Sequence, residues 1–331
     1  MGASEHGPNA DVIRDIIGRL RGSSEVLVVS HRRPDGDAVG STLALARWLN
    51  TSGVTARVFL EDGVPSNYRF IRAGRDVLTE PPSDLSDTTL VVLDTTEISR
   101  VVRDTDTLST AREVINIDHH PDNRLFADVN LVDPSASAAA LLVQEILEAD
   151  GTELDLETAS LLFVGLVADT GGFRHSNVDA RTMSAAARLV AAGADPHGLA
   201  RNVFAEQPLS QVRLLGMMLS SMELHLDGRL ALAIITDAMR SEAGTCSESM
   251  EGLPGYGRLV EGVKISALIR EIPDGSRVSL RSNGGADVRE IAARLGGGGH
   301  HAAAGVVLSV GVPRARELIL DAVSEHFGKR G

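Results

Sequence analysis

At 331 residues the chain is longer than one hydrophobic core usually sustains, and its 43% hydrophobic and 23% charged residues are those of a folded protein, so two globular domains are expected and disorder is excluded. The net charge of −13 argues against long duplex nucleic acid as a partner, and an anionic substrate would need a local positive site built from cations, backbone amides or a few arginines. With Cys246 the only cysteine, and read as an incidental thiol, neither a disulfide nor a thiolate zinc cluster can form, and any metal site must draw on histidines and carboxylates.

The first residues lack the charged and apolar regions of a secretory signal, and no apolar run reaches the roughly 18 residues of a membrane span, so a cytoplasmic chain with no membrane partner is expected. Glu25 to Ser30 reads as a buried strand, and Ala38 to Asn50 as a helix with Ala44, Leu45, Trp48 and Leu49 on its apolar face. The β-branched runs at 54–60, 89–94 and 113–118 complete a mainly parallel sheet flanked by helices, an α/β domain. Its functional residues should gather beyond the carboxyl ends of the strands, where His31, Asp94 and Asp118 to His120 fall. Helices are predicted over 136–149, 156–168, 179–192 and 208–221. Gly193, Pro196 and Pro208 place a first domain at 1–195, a connecting segment at 196–215 and a smaller α/β domain at 216–331. That second domain is read as strands at 230–236, 263–270, 277–281 and 306–310 with helices at 288–295 and 313–326.

Four motifs of the first domain carry chemistry. In Ser30-His31-Arg32-Arg33-Pro34-Asp35-Gly36-Asp37-Ala38, Pro34 and Gly36 stop the strand, so His31, Asp35 and Asp37 can curl about one point instead of alternating across a sheet. Asp37 could instead be only the N-cap of the next helix, and Asp35 only a turn residue. Asp94 ends an apolar strand, at what reads as a solvent-facing position. Asn116-Ile117-Asp118-His119-His120-Pro121 follows another strand, and an acid ahead of paired imidazoles suits a metal ligand beside a substrate-facing neighbour. The apolar helix through Gly165 delivers Asp169 to a break at Gly171-Gly172. Two histidines and four carboxylates at these tips make a mixed nitrogen and oxygen set suited to Mn²⁺ or Mg²⁺, and the carboxylates would repel one another unless cations sit between them. In the second domain Gly296-Gly297-Gly298-Gly299-His300 is read as a close approach of backbone amides to a phosphate, with a flexible hinge as the alternative. Arg281-Ser282 offers a guanidinium for bidentate contact or a solvated edge residue.

In this order, His31-x-x-x-Asp35-x-Asp37, Asp94, Asp118-His119-His120, Asp169 and the Gly-Gly-Gly-Gly-His…Ala-Ala-Gly segment resemble the DHH phosphoesterases with their associated C-terminal domain, in particular the bacterial oligoribonuclease and pAp-phosphatase group, over residues 12–326. The resemblance implies two divalent cations, Mn²⁺ first with Mg²⁺ or Co²⁺ as alternatives. One would be held by His31, Asp35 and Asp94, the other by Asp37, Asp94, His119 and Asp169, with Asp94 bridging. It implies that Asp118 orients its neighbouring histidine, that His120 faces the scissile phosphate, and that Arg281, Ser282, Gly298, Gly299 and His300 hold the rest of the nucleotide.

The implied reaction is hydrolysis of short RNA and linear dinucleotides to mononucleotides, or of pAp to AMP and phosphate. A water acidified from about 15.7 toward about 7 would attack phosphorus in line. The alternatives are a c-di-AMP phosphodiesterase, a RecJ-like single-strand exonuclease, a family II inorganic pyrophosphatase and a non-catalytic nucleotide receptor. The glycine-rich histidine motif argues against the pyrophosphatase, the acidic balance against tracking a long strand, and an intact metal set against the receptor. A homodimer joined through the DHH domain is expected from the resemblance and from the prevalence of two-fold dimers.

Overall fold

The computed structural model describes residues 9–204, 208–245 and 252–328, and the chain divides into two compact units, Met1–Glu206 and Gln207–Gly331. Cys246 lies outside the described residues. No helix among the described residues is long and apolar enough to cross a membrane.

The first unit runs α1 (Ala10–Arg21), β1 (Glu25–Val29), α2 (Gly36–Thr51), β2 (Thr55–Phe59), β3 (Thr88–Leu93), β4 (Glu113–Asp118), β5 (Val129–Val132), α3 (Ala139–Ala149), α4 (Leu156–Asp169), α5 (Ala180–Ala191) and α6 (Pro196–Phe204). Its five strands are all parallel, in the order β2-β1-β3-β4-β5. Along β1, Val26 and Val28 enter one core with the helices, while Leu27 and Val29 enter another with Phe59, Leu90 and Val92. Apolar residues on both faces are what a parallel sheet requires. The strand order reverses between β1 and β3, and the crevice beyond the carboxyl ends at such a switch point is the usual ligand site of an open α/β sheet. His31 follows β1 and Asp94 follows β3.

Glycines set how closely the helices meet. A Cβ on Gly40 would lie 2.3 Å from the Leu161 carbonyl oxygen, and one on Gly165 would lie 2.6 Å from Ala140 Cβ and 2.7 Å from Asp37 Oδ1. Only residues without a side chain permit that approach. It puts Asp37, in the first turn of α2, against the last turns of α4, which ends in Asp169.

The second unit holds α7 (Leu209–Ser220), β6 (Glu223–His225), β7 (Leu230–Ile235), α8 (Asp237–Ala243), β8 (Ile265–Ile272), β9 (Gly275–Ser282), α9 (Val288–Arg294), β10 (Gly298–Gly299), β11 (Ala303–Leu308) and α10 (Val312–Gly328). The sheet order is β10-β11-β9-β8-β7-β6, parallel between β7 and β8 and antiparallel elsewhere. Leu232, Ile269, Val278 and Ile319 belong to a core of its own. Both units are therefore α/β, as the alternation of periods implied. Residues 196–215, read as a connection, contain α6 and the start of α7.

Candidate metal centre

Asp35 and Asp37 divide the work at the start of α2. Asp35 is the N-cap, its Oδ1 accepting from the amides of Asp37 at 3.0 Å and Ala38 at 3.1 Å, and its other oxygen remains for a ligand. The capping role considered for Asp37 thus belongs to Asp35. Asp37 is buried and faces the N-terminus of α3, where the amides of Ala139 and Ala140 donate to its Oδ2 and Oδ1 at 2.6 and 2.9 Å. A helix N-terminus is a favourable place for a carboxylate. Helix α3 begins at Ala139 rather than Ala136, because Ala138 is extended and the Ala136 carbonyl accepts from His119 Nδ1 at 3.2 Å.

Asp94 is only 2% exposed, so the solvent-facing position expected for it is wrong. Its φ of +55° is left-handed, a strain on the order of 1–3 kcal/mol for a non-glycine residue. The Asp94 amide donates to the Ile117 carbonyl at 3.0 Å. One carboxylate oxygen, Oδ2, lies 3.5 Å from His31 Nε2, and the other, Oδ1, lies 3.4 Å from His119 Nε2. His31 Nδ1 donates to the Arg32 carbonyl at 2.9 Å, which leaves Nε2 free to serve as a ligand nitrogen. His119 Nε2 is buried, 3.1 Å from Asp169 Oδ2, and makes no well-aligned hydrogen bond. Three groups result, each with donor atoms within 4.8 Å of one another: His31, Asp35 and Asp94; Asp37, His119 and Asp169; and Asp94, His119 and His120.

The histidine that Asp118 orients is His120. Asp118 Oδ1 accepts from His120 Nδ1 at 2.7 Å and from the His119 amide at 2.9 Å, while its Oδ2 accepts from Asn123 Nδ2 at 2.6 Å. Asn123 Nδ2 also lies 2.7 Å from Asn116 Oδ1 and 3.2 Å from the Thr95 carbonyl, and Asn116 Nδ2 donates to the Val92 carbonyl at 3.0 Å. Neither asparagine nor the Ala139 and Ala140 amides were found from the sequence. A polar Asn116 inside an apolar strand was the available signal for the first.

Burial lowers the imidazoles of His31 and His119, but the carboxylates around them outweigh it. His31, against Asp94 and Asp35, rises to about 9, and His119, against Asp169 and Asp94, to about 12. Burial together with the charges of Asp94 and Asp169 lifts Asp35 to about 6 and Asp37 well above the ordinary range. Asp94 goes the other way: burial pushes it up, yet the adjacent His119 and His31 hold it well below the usual carboxylate range. Burial opposes and the Asp118 bond supports a raised pKa at His120. Acids that repel one another and imidazoles that need protons to offset them are the arrangement divalent cations relieve. Together with the orphaned His119 Nε2, the nitrogen and oxygen donor set fits such ions.

In the second unit Arg281 pairs with Ala303, the Ser282 amide donates to the Ala302 carbonyl at 2.9 Å, and Gly299 pairs with Ala304. The His300 amide donates to the Ala303 carbonyl at 2.8 Å, so all five residues expected to hold nucleotide share one end of this sheet. The glycine run is part hairpin, not a uniform loop. A Cβ on Gly297 would lie 2.3 Å from the Gly305 carbonyl oxygen and one on Gly299 2.6 Å from that of Ala303, whereas one on Gly298 would meet nothing within 4 Å. Packing therefore requires two of these glycines, which a phosphate-only or hinge reading did not foresee. Arg281 has no carboxylate partner among the described residues, and burial with the nearby Arg258 charge depresses its pKa.

The chain matches the family model for the DHH family, N-terminal domain, over residues 25–166 and that for the DHHA1 domain over 231–329. It is 35% identical to the bifunctional oligoribonuclease and PAP phosphatase NrnA of Thermus thermophilus over 92% of this chain and 91% of that protein. It is 29% identical to the cyclic-di-AMP phosphodiesterase PdeA of Listeria monocytogenes over 92% of this chain but 48% of that one. The crystal structure of an exopolyphosphatase-related protein from Bacteroides fragilis superposes with a TM-score of 0.90 at 24% identity, covering 96% of each chain.

Proposed function

The chain belongs to the DHH family, and from that membership and its metal centre we propose that it is a metal-dependent phosphoesterase that hydrolyses short oligoribonucleotides to mononucleotides and pAp to AMP and phosphate. The observation that carries the reading is the convergence of His31, Asp35, Asp37, Asp94, His119 and Asp169 at the switch point of the parallel sheet. His31, Asp35 and Asp94 would hold one cation, and Asp37, Asp94, His119 and Asp169 the other. The mixed imidazole and carboxylate set favours Mn²⁺, ahead of Mg²⁺ or Co²⁺. When bound, two such cations supply an acidified water and neutralise charge on the phosphoryl group.

The chain's own residues do the rest. Asp94 stays ionised between two imidazoles. Asp118 fixes the His120 tautomer through Nδ1, which leaves Nε2 to meet the phosphoryl or leaving oxygen, and the raised pKa of that ring keeps a proton there to offset developing negative charge. Arg281, Ser282, Gly298, Gly299 and His300 take the part of the nucleotide away from the scissile bond. The support is an arginine without a carboxylate partner and an open face at Gly298. The reading extends to a cytoplasmic homodimer joined through the first unit.

Purified protein with Mn²⁺ should be offered pAp, pGpG, pApA, a pentanucleotide, a much longer RNA, c-di-AMP and pyrophosphate, with products resolved over time. The small linear substrates should be turned over fastest, and efficiency should fall beyond about five nucleotides as each added phosphate meets like charge on the protein. A preference for the long RNA or for pyrophosphate would overturn the reading. A preference for c-di-AMP would favour the second reading, cyclic dinucleotide hydrolysis, which similarity to a phosphodiesterase of that class supports.

A further inference from the structure

The two loops that carry His31, Asp35 and Asp94 also carry arginines. Arg32 and Arg33 follow His31, Arg100 and Arg103 lie beyond Asp94, and with Asp62 these four line a pocket of about 210 Å³. The loops are tied together where the Arg32 amide donates to the Arg100 carbonyl at 2.8 Å. Arg33 has a left-handed φ of +54°, and its amide donates to Asp62 Oδ2 at 2.9 Å. A strained non-glycine backbone held by a specific bond is a feature that clusters at ligand sites.

The acids nearby are already engaged. Arg103 donates to Asp62 Oδ1 at 3.2 Å and lies 3.0 Å from Glu61 Oε2, and Glu61 Oε1 accepts the Arg103 amide at 3.0 Å. Arg33 and Arg100 have no ion pair or side-chain hydrogen bond among the described residues, and Arg32 has only a long ion pair, Nε to Glu61 Oε2 at 4.0 Å, and a bond from Nη2 to the Ser99 carbonyl at 3.4 Å. Arg32 and Arg103 thus share Glu61 and Asp62, while the guanidinium groups of Arg33 and Arg100 line the same pocket with no carboxylate of their own among the described residues, in a chain whose net charge is −13. Lone arginines on a surface are ordinary, but two unpaired ones beside two more around one hollow leave an excess of positive charge that an anion would offset, and their planar forks match phosphate oxygens two at a time.

We propose that this pocket is a second anion site, which takes a phosphate of the nucleotide substrate other than the one being hydrolysed. The proposal rests on the phosphoesterase reading above. It is tested with R33Q/R100Q, by comparing kcat/KM for pApA with that for bis-p-nitrophenyl phosphate, which has one phosphate only. The ratio of the two should fall tenfold or more, with the change in KM, and an unchanged ratio would overturn the site. Should the double variant lose its cooperative thermal transition, R33Q alone, at an exposed position, serves in its place. If the wild-type protein hydrolyses neither compound, the phosphoesterase reading fails on its own, and binding of pAp in EDTA decides the pocket. Affinity at least tenfold above that of R33Q/R100Q supports it, and equal affinity refutes it. Inorganic phosphate titrated in EDTA separates the sources: binding as tight as that of pAp and dependent on Arg33 and Arg100 would make this a site for free phosphate, against the proposal.

Discussion

Loading the metal-free protein with Mn²⁺ at pH 7 should release at least about two protons. A ring with a pKa of about 9, as at His31, is about 99% protonated at pH 7, and one near 12, as at His119, is fully so. Neither can ligate until its Nε2 proton leaves. Asp35 at about 6 adds about a tenth of a proton, and the upward push on Asp37 from burial and from Asp94 and Asp169 acts in the same direction. The sign follows from the raised imidazoles: protons compete with metal at low pH and cease to compete only as pH climbs through the raised values. With one ring at each site, two released protons correspond to a rise in apparent affinity of roughly tenfold per pH unit for each cation near neutrality, or about 100-fold for the pair together. Titration calorimetry in buffers of different ionisation enthalpy measures the proton count directly. Heats that do not depend on the buffer, or an affinity flat between pH 6 and 8, would refute the assignment of these two rings as ligands.

Replacing Asp94 by Ala should abolish turnover at saturating Mn²⁺, and retention of more than a few per cent of wild-type rate would remove it from the bridging position. His120→Ala should lower kcat with little change in bound metal, whereas loss of one metal equivalent by elemental analysis would move His120 into the ligand set. Gly165→Ala forces a methyl group against Ala140 and Asp37 and should cost about 1–3 kcal/mol of stability along with weakened metal binding; an unchanged denaturation midpoint and metal content would refute that packing. Light scattering at micromolar concentration should report a dimer, and a mass near 35.0 kDa would exclude one.

The parallel sheet was legible because its strands are apolar on both faces and end at polar residues, as at Leu27 to Val29 before His31. Strand β5 was not, since its four residues are mostly half-exposed and too short to show a period. Helix α1 was passed over although Ile13, Ile16 and Leu20 recur at helical spacing, so that signal was available. Helix α8, at Asp237–Ala243, was not read at all, and its N-cap Thr236 was taken as the end of the preceding strand because it extends a β-branched run. At the site, the convergence of histidines and carboxylates was legible because each ends or begins an apolar element, His31 and Asp94 after strands, Asp35 and Asp37 at the start of α2 and Asp169 at the end of α4. What each atom does was not, because the partners are remote: the amides that fix Asp37 come from Ala139 and Ala140, more than 100 positions further along the chain.

Those remote partners bear on which aspartate can serve two cations. An ionised carboxylate offers about four lone-pair positions. Asp35 spends those of one oxygen on two amides of its own helix, which leaves the other oxygen and suits it to a single ion. Asp37 has an α3 amide on each oxygen, so its position is fixed by the fold before any metal arrives. Asp169, on α4, presents one oxygen to one imidazole, His119. Asp94 differs from all three, because its two oxygens face two different rings, His31 and His119, that belong to different loops. A left-handed backbone at Asp94, directly after β3, is what turns it there. The bridging assignment is therefore supported by the imidazoles on both of its oxygens and by the fact that, unlike Asp35 and Asp37, neither oxygen accepts a backbone amide among the described residues.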